Sequence, residues 1–451
     1  MAGDALIVEV NDALVRVQHG ATSLHGETGY ATVENGKVVQ TGDASRADAK
    51  RHPRRTINDF WHRLSTDTLE TVALTRADLV AAQIQVLLPP EQYANRNVVL
   101  LLPGALPREQ LGLLLGVFKA CDLNVIGLID TASAASRLFY RDQTLLHVDV
   151  SLHAATVSRI SQDAQSSKLD DVRAVEGSGL HNLYEEWMTF FASQFVRQCR
   201  FDPLHSADAE QKLFDLLPAW LREIGQNDEL ELTFSHAGHS HTITVVSVDV
   251  INVVAAHYQR IADVARALTG GASAPALQLR FAAASLPGFA QMLCARAGGS
   301  FFTIDDDAAI RHAAAVLPTL SLSDSRVLSE MPVDGESAST VATEQRSDDV
   351  PTHLVLDARA YALTAQPLTL GSGTEHAPDR YLQLDGSPAG VSGVHCDIRL
   401  DVNQCLVVDH SRYGTFLNGN RISASAALRI GDILRVGTPG REMQLIRLEA
   451  M

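Results

Sequence analysis

The sequence predicts an α/β fold over residues 1–320 and a separate all-β sandwich at the C-terminus. Through residue 320, short runs rich in Val, Ile and Leu alternate with longer helical patterns, as at Val98–Leu102 and the amphipathic stretch that follows Pro107. Buried strands interleaved with helices are typical of α/β architecture. Beyond residue 350, short strand patterns are separated by Gly, Pro and Asn turns, which indicates a β-sandwich.

The individual elements of the α/β region follow from their own patterns. Ala5–Val10 and Leu14–Val17 alternate as paired strands do, and the stretch from Pro107 to Lys119 has the apolar spacing of a helix. Residues 181–224 are rich in helical patterns. Further strands, one hairpin and one long helix are predicted at Val98–Leu102, Val125–Leu128, Leu145–Val150, Thr156–Ile160, Leu230–Val246 and 248–268.

Residues 321–350 differ in composition from both flanking regions. Ser321–Asp349 carries seven acidic and two basic side chains and few large apolar ones. Such a segment cannot bury enough apolar surface to offset the entropy cost of ordering. The sequence therefore predicts three parts: a body of residues 1–320, a flexible acidic linker at 321–350, and a β-sandwich at 351–451.

Composition indicates which kinds of partner the protein binds and in which cellular compartment it lies. A formal net charge of −16 disfavours non-specific binding to nucleic acid or to anionic membranes. The five cysteines are scattered, without a Cys-x-x-Cys pair, as expected for reduced thiols. The longest apolar runs are too short to span a bilayer, and the first residues lack a basic secretory n-region. We expect a cytoplasmic protein that has no nucleic-acid partner and does not insert into membranes.

Three short motifs lie in order near the C-terminus. They read Val391-Ser-Gly-Val-His-Cys, then Val408-Asp-His-Ser-Arg-Tyr-Gly-Thr-Phe-Leu-Asn-Gly, then Leu428-Arg-Ile-Gly-Asp-Ile-Leu-Arg-Val-Gly. Together they resemble the forkhead-associated (FHA) family. That resemblance implies a β-sandwich whose loops at one end recognise phosphothreonine in a protein partner, through charge-assisted hydrogen bonds from Arg and Ser.

Two positions depart from the FHA pattern. The family's phosphate-clamping Arg follows an early Gly, and here Ser372 stands in its place. The family's peptide-contacting Asn corresponds to Tyr413. Serine supplies neither the charge nor the fork of a bidentate Arg–phosphate pair. We therefore expect binding of the partner protein to depend only weakly on phosphate, or not to depend on it.

The remaining FHA positions have implied roles. Ser392 matches the phosphate-gripping Ser, and His395 matches the His that supports the loop rather than the ligand. Arg412 lies in the adjoining loop, either as a partial substitute for the lost Arg or as an ordinary exposed side chain. Asn418 is expected to shape a turn.

Several segments of residues 1–320 resemble, in order, the nucleotide domain of the DnaK-type heat-shock chaperones, which are actin-like ATPases. The segments are Val39-Gln-Thr-Gly-Asp-Ala-Ser, Pro53-Arg-Arg-Thr-Ile, Val98–Pro103 with the helix and strand through Ala135, and Asp305–Ala315. This resemblance implies a two-lobed fold that holds ATP and Mg²⁺ between glycine-rich turns. Glycine is needed there because backbone amides must approach phosphate oxygens closely.

All three phosphate turns depart from the pattern of that family. Val8–Ala13 keeps an acid, Glu9, but lacks the family's Gly-Thr. Asp149–Ala154 keeps its first acid and replaces the glycines that follow. Ala282–Phe289 has alanines for the leading glycines. The cleft remnants implied by the resemblance are Glu9, Asn11, Asp149, Ser151, Ala283, Ala284 and Ser285.

These losses predict a pseudo-ATPase without catalytic residues and without a bound cofactor. Glu9 and Asp149 are then ordinary turn acids, the alternative being residual contact with metal or nucleotide. ATP with Mg²⁺ remains the disfavoured alternative for the cleft. No metal site is expected: the cluster His236, His239 and His241 is interpreted as a polar hairpin tip. The basic run Lys50–Arg55 is either a solvated loop or a docking site for an acidic partner.

The combined reading is a non-catalytic scaffold or adaptor that binds partner proteins, phosphorylated or not, through the body and the FHA-like module. Other degenerate actin-like bodies are similar to platforms in bacterial envelope and secretion machines. The alternative is an ATP-binding DnaK-like switch or chaperone whose FHA domain reads phosphothreonine. A peptide-holding chaperone is less favoured because no peptide-binding domain follows residue 320. Oligomeric state stays open.

Overall fold

The computed structural model describes residues 4–446 apart from 71–72, 142, 228, 271–274, 334–350, 357–358, 365, 374–379, 385–389, 402–403, 423–424 and 439. The chain divides into two compact units, Met1–Ala338 and Ser339–Met451. The first unit mixes helices with strands, and the second consists of strands among its described residues.

The first half of unit 1 begins with a three-strand meander, and a helix separates its last two strands. Its elements in chain order are β1 (Leu6–Glu9), β2 (Val15–His19), β3 (Thr22–Glu27), β4 (Ala31–Glu34), β5 (Lys37–Thr41), α1 (Asp43–Arg46), β6 (Thr56–Ile57), α2 (Arg76–Leu87), α3 (Pro90–Tyr93), β7 (Asn97–Leu102), α4 (Arg108–Ala120), β8 (Asn124–Asp130) and α5 (Thr131–Ala135).

The second half repeats this plan with longer helices. Its elements are β9 (Leu145–Val150), β10 (Ala154–Gln162), β11 (Ser166–Glu176), α6 (Leu180–Cys199), α7 (Ala207–Ile224), β12 (Glu229–His236), β13 (His239–Val246), α8 (Ser247–Leu268), β14 (Ala276–Arg280), α9 (Phe281–Ala284), α10 (Phe289–Ala297), β15 (Ser300–Ile304), α11 (Ala308–Val316), β16 (Val327–Leu328) and β17 (Glu330–Pro332).

The two main sheets of unit 1 share one topology. The first has the order β3-β2-β1-β7-β8, and the second has the order β11-β10-β9-β14-β15. In both, an antiparallel meander is followed by two parallel strands that reach the sheet through helical connections. The hairpin turn after β1 is therefore equivalent to the hairpin turn after β9.

Local sequence signals account for the main helices. Thr75 and Asp78 form a reciprocal capping box at the start of α2. Pro107 precedes α4, where its missing amide costs no helical hydrogen bond. The apolar faces of α6, α7 and α8 pack on the second sheet around Trp187, Phe191 and Tyr258, all almost fully buried.

Unit 1 extends beyond the predicted boundary at residue 320. β16 pairs with β8 of the first sheet, and β17 pairs with β11 of the second. Met331 is fully buried in the core. This corrects the start of the predicted linker: the few apolar residues within the acidic stretch are enough for two short strands. Residues 334–350 of the predicted linker lie outside the described residues.

Unit 2 is a sandwich of two sheets. Its strands are β18 (His353–Leu356), β19 (Arg359–Ala362), β20 (Leu368–Gly371), β21 (Tyr381–Gln383), β22 (Cys396–Asp401), β23 (Gln404–Asp409), β24 (Thr415–Leu417), β25 (Asn420–Arg421), β26 (Ser425–Leu428), β27 (Ile433–Val436) and β28 (Arg441–Ile446). The sheet orders are β19-β18-β28-β27-β24-β25 and β21-β20-β22-β23-β26. One apolar core joins side chains of both sheets, such as Leu445 and Ile398.

Candidate functional site

The two equivalent hairpin turns of unit 1 are hydrogen-bonded directly to each other. The backbone amide of Leu152 donates to Oδ1 of Asp12 at 2.7 Å. The side-chain amide of Asn11 donates to Oδ2 of Asp149 at 3.2 Å. An amide that points out of a turn is a ready donor for an anion. Here the Leu152 amide already has a carboxylate of the same chain as its partner.

Arg280, the last residue of β14, supplies a positive charge between these turns. Its guanidinium forms an ion pair with Glu9, and its Nε lies 3.4 Å from Oδ2 of Asp149. Glu9 is fully buried and is also 3.3 Å from Arg16. Burial opposes the charged form of Arg280, but the carboxylates of Asp149 and Glu9 outweigh it, and the pKa of the guanidinium is raised. The carboxylates of Glu9 and Asp149 are therefore neutralised by a cation of the protein itself.

The third predicted phosphate turn is helical. Phe281–Ala284 forms α9, and the Ser285 hydroxyl donates back to the carbonyl of Phe281 at 2.7 Å. The amide of Ala282 donates to Oδ1 of Asp306 at 2.9 Å. Ala283 is buried and Ala284 is half-buried. The alanines therefore lie in a short helical turn in which the carbonyl of Phe281 accepts from the Ser285 hydroxyl and the Asp306 carboxylate accepts from the Ala282 amide.

The structure brings several of the predicted cleft residues together. Glu9, Asn11 and Asp149 belong to one network of hydrogen bonds and ion pairs centred on Arg280. The hydroxyl of Ser151 instead donates to the carbonyl of Ala154 at 2.9 Å. The Ser151 hydroxyl therefore forms its hydrogen bond within its own turn.

Two residues that hold these turns together, Arg280 and Asp12, were not among the predicted cleft residues. Arg280 was passed over although it directly precedes the alanine-rich turn, at the end of a buried strand where a basic residue requires an acidic partner. Asp12 lies in the first turn, directly after the predicted residue Asn11. Burial raises the pKa of the Asp12 carboxyl, against the hydrogen bond from Leu152 that lowers it.

A cavity of about 350 Å³ opens beside these turns. Asp12, Thr131 and His147 line it, and each is at least nine-tenths buried. The side-chain amide of Gln278 donates to Nδ1 of His147 at 2.9 Å, so Nε2 of this neutral ring carries the proton. Burial lowers the pKa of His147 to about 4, although the nearby Asp149 carboxylate raises it.

This histidine predicts an acid sensitivity of unit 1. In the unfolded chain His147 titrates near 6.5, and in the folded chain near 4. Between these values the unfolded state binds more protons, so stability falls as the pH falls from about 6.5 towards 4. We expect His147→Gln to remove up to about 3 kcal/mol of that loss.

The measurement is urea unfolding at several pH values, followed by tryptophan fluorescence. All three tryptophans, Trp61, Trp187 and Trp220, lie in unit 1, so the signal reports on this unit alone. Other titrating groups cancel in the difference between the wild-type chain and the variant. Parallel pH profiles for the two chains would contradict the assignment.

The loops at one end of unit 2 bring together three predicted residues. The Ser372 amide donates to the carbonyl of Ser392 at 3.0 Å, and the Arg412 amide donates to the Ser392 hydroxyl at 3.3 Å. The Ser372 hydroxyl donates to the carbonyl of Val391 at 3.1 Å. Arg412 is exposed, and among the described residues its guanidinium has no hydrogen-bond or ion-pair partner. The surface formed by Ser372, Ser392 and Arg412 is hereafter the loop surface.

His395 lies beneath this loop surface and is fully buried. Its Nδ1 accepts a hydrogen bond from the Ser392 amide at 3.0 Å, and its Nε2 lies 3.2 Å from the carbonyl of Gly414. Burial lowers the pKa of His395, against the bond to Gly414 that raises it. The neutral ring thus joins the two loops. Gly414 has a φ of +89°, a left-handed conformation that favours glycine.

Two further predicted residues have different surroundings. Tyr413 is about half exposed beside Arg412, as is Val394 in the neighbouring loop. Asn418 donates to Oδ1 of Asp432 at 2.7 Å and accepts from the amide of Ile433 at 2.9 Å. Asn418 therefore holds the β24–β25 turn to β27, whereas Tyr413 extends the loop surface with an aromatic ring.

Comparison with known families identifies the second unit. Residues 368–437 match the family model of the FHA domain. The C-terminal unit carries an FHA domain. No curated protein matches the chain. FHA domains are protein–protein interaction modules that bind phosphorylated protein partners, which supports a protein partner for this chain.

Among the described residues, no group of three or more His, Cys, Asp or Glu side chains is placed to hold a metal ion. Within the same residues, no helix is both long and apolar enough to cross a membrane. The basic run Lys50–Arg55 is largely occupied by partners within unit 1, because Lys50, Arg51 and Arg55 each form an ion pair with an acidic side chain.

Proposed function

We propose that the protein is a non-catalytic scaffold or adaptor. Unit 1 is a degenerate actin-like body that holds no nucleotide, and the FHA domain binds a protein partner with little or no dependence on phosphate. The observation that carries the proposal is the ion-pair network in which Arg280 neutralises Glu9 and Asp149.

The topology of unit 1 supports an actin-like origin. Two sheets that share a run of five strands, an antiparallel meander followed by two parallel strands, are consistent with an internally duplicated two-lobed fold. Their equivalent turns face one cleft, as they do in the ATPases that the sequence resembles. Fold does not imply function, so the charges of the cleft decide what it does.

Those charges disfavour Mg-ATP. In the resembled enzymes, a metal ion and phosphate oxygens would lie between the turns. Here the guanidinium of Arg280 stands in the place of a cation, and the carboxylate of Asp12 stands in the place of an anion on the Leu152 amide. Mg-ATP would have to displace both, leaving a buried guanidinium and a buried carboxylate without their partners, which is costly. The same contacts keep the body rigid without nucleotide.

The FHA loops support partner binding that does not depend on phosphate. Ser372 occupies the position of the clamping Arg, and its hydroxyl is engaged by Val391. Arg412 is the cation that this surface offers, and the neighbouring Tyr413 offers an exposed aromatic ring of the kind enriched at protein interfaces. A partner bound here is recognised by shape and apolar contact more than by a phosphoryl group.

The loop surface can be tested with a double variant. We expect Ser392→Ala with Arg412→Ala to abolish capture of the native partner from host extract, while the sandwich stays folded by circular dichroism. Arg399→Ala, which removes an exposed arginine from the strand β22, is the matched control and should retain capture. Undiminished capture by the double variant would refute the loop assignment.

Nucleotide binding is tested separately. Isothermal titration of the full chain with ATP and Mg²⁺, together with a phosphate-release assay, should give neither saturable heat nor turnover. Micromolar binding would instead favour the alternative of an ATP-driven switch whose FHA domain reads a kinase signal.

A further inference from the structure

One face of the FHA domain carries a row of three side chains from neighbouring strands. Phe416 of β24 lies opposite Arg421 of β25 and opposite Arg435 of β27. Residues directly opposite each other in antiparallel strands project from the same face of the sheet. Leu434 and Val436, on either side of Arg435, are fully buried in the core, so the row lies on the outer face. Arg421, Phe416 and Arg435 are hereafter the arginine row.

The two arginines of the row are held at the surface by different contacts. Cζ of Arg435 lies 4.0 Å from the centre of the Phe416 ring, a cation–π contact that orients the guanidinium. Arg421 lies against Gly414, where a Cβ atom would be only 2.6 Å from Nε of the arginine. A glycine at this position therefore leaves the space that Arg421 fills. The Arg421 side chain thus lies beside the loop that carries Arg412.

The resulting surface is positive in an otherwise acidic chain. Arg412 and Arg421 are exposed, and neither guanidinium has a hydrogen-bond or ion-pair partner among the described residues. Glu442 lies opposite Arg435 on β28, at the end of the row away from Arg421. Residues 351–451 contain nine arginines, no lysine and ten acidic residues, whereas the whole chain has a formal net charge of −16. Exposed cations without acidic partners indicate a negatively charged ligand.

The arrangement of these cations suits several separated carboxylates better than one phosphoryl group, because a phosphoryl group needs donors that converge on it. Arg435 donates to the carbonyl of Gly437 at 3.0 Å, whereas Arg421 packs on Gly414, so the two are anchored at different places. The strand β24 separates their backbones by about 10 Å, which about four residues of extended chain span. Arginine, moreover, matches the planar geometry of a carboxylate, which lysine does not.

We infer that the arginine row and the neighbouring Arg412 bind an acidic, unphosphorylated segment of the partner protein. Its carboxylates pair with the arginines, and its apolar side chains pack on Tyr413 and Ile433, each about half exposed. Ile433 lies two residues before Arg435 on β27, on the same face of the sheet. This inference rests on the proposed function, since it names the chemical class of the partner that the FHA domain holds without phosphate. It also adds Arg421, which lies outside the loop surface, to the residues that bind.

The probe is a fluorescent decapeptide library that carries Asp or Glu at three alternate central positions and is degenerate elsewhere, since alternate residues of an extended chain share one side. A second library carries Asn or Gln at the same positions, and a third carries one phosphothreonine, with an unphosphorylated twin. By fluorescence anisotropy, we expect the full wild-type chain to bind the acidic library at least about tenfold more tightly than the amide library. Added salt should weaken this binding, because the arginines are exposed.

Arg421→Gln is the decisive variant, because it removes the charge of an exposed side chain while keeping much of its length. We expect it to weaken binding of the acidic library about three- to tenfold. Arg399→Gln is the matched control: it removes an exposed arginine of the same domain from β22, in the other sheet, and should leave the affinity unchanged. Circular dichroism should show both variants folded.

Equal affinity for the acidic and the amide libraries would overturn the inference, and so would unchanged affinity in Arg421→Gln. Equally tight, Arg421-dependent binding of an oligodeoxythymidine of about 20 nucleotides would also overturn it, since the row would then attract polyanions in general. If any of these occurs while the wild-type chain binds the phosphothreonine library and its twin alike, the proposed function stands without the acidic partner. A preference above about tenfold for the phosphothreonine library would instead contradict the proposed function itself.

Discussion

Arg280→Met is expected to destabilise unit 1 by about 3–5 kcal/mol, the typical cost of breaking a buried ion pair by removing one partner. Arg280 is 4% exposed, and Glu9 is fully buried. Without the guanidinium, Arg16 is the one cation among the described residues that still pairs with the Glu9 carboxylate, and it is itself partly exposed. Methionine preserves much of the side-chain length, so the loss reports charge rather than volume.

Urea unfolding followed by tryptophan fluorescence measures this effect on unit 1 alone, since unit 2 contains no tryptophan. Arg16→Met is the matched control, and we expect a smaller loss because it leaves the Arg280–Glu9 pair intact. In the double variant Glu9→Gln with Arg280→Met, most of the lost stability should return, since no buried Glu9 carboxylate remains. A loss of stability below about 1 kcal/mol in Arg280→Met would contradict the proposed role of the ion-pair network.

Much of the fold was predictable because its signals are local. The strand β9 occupies Leu145–Val150 as predicted, and the hairpin of β12 and β13 begins at Glu229, one residue before its predicted start, and ends at Val246 as predicted. The repeated sheet order was not predicted, because strand order depends on pairings between distant segments. Composition predicted a linker at Val327 and Met331. It did not predict the two short strands there, because these strands pair with strands that are distant in the sequence.

The candidate site was predictable in part for the same reason. The resemblance to DnaK-type motifs pointed to Glu9 and Asp149. It did not locate Arg280, whose partner Glu9 is 271 residues away and is set by the packing of the two sheets. In the FHA domain, the short motif surrounding Ser392 and His395 predicted both positions, since their contacts lie within neighbouring loops.

Restoring the two lost FHA positions should create phosphate specificity. We expect the wild-type chain to bind a degenerate phosphothreonine peptide library and its unphosphorylated twin with affinities that differ by less than about tenfold. Ser372→Arg with Tyr413→Asn should prefer the phosphorylated library by about 10–100-fold, because hydrogen bonds to charged groups contribute about 1.5–3 kcal/mol. Fluorescence anisotropy with labelled libraries measures both preferences on the same protein.

The controls separate charge from geometry. Ser372→Lys with Tyr413→Asn supplies the positive charge without the planar fork of Arg, so its gain should be smaller. Adding Arg412→Ala to the Arg-containing variant should leave most of the gain, because the new arginine replaces what Arg412 offers. A wild-type chain that already prefers the phosphorylated library strongly would show that Arg412 substitutes for the clamp, and the FHA domain would then read phosphate through that exposed side chain.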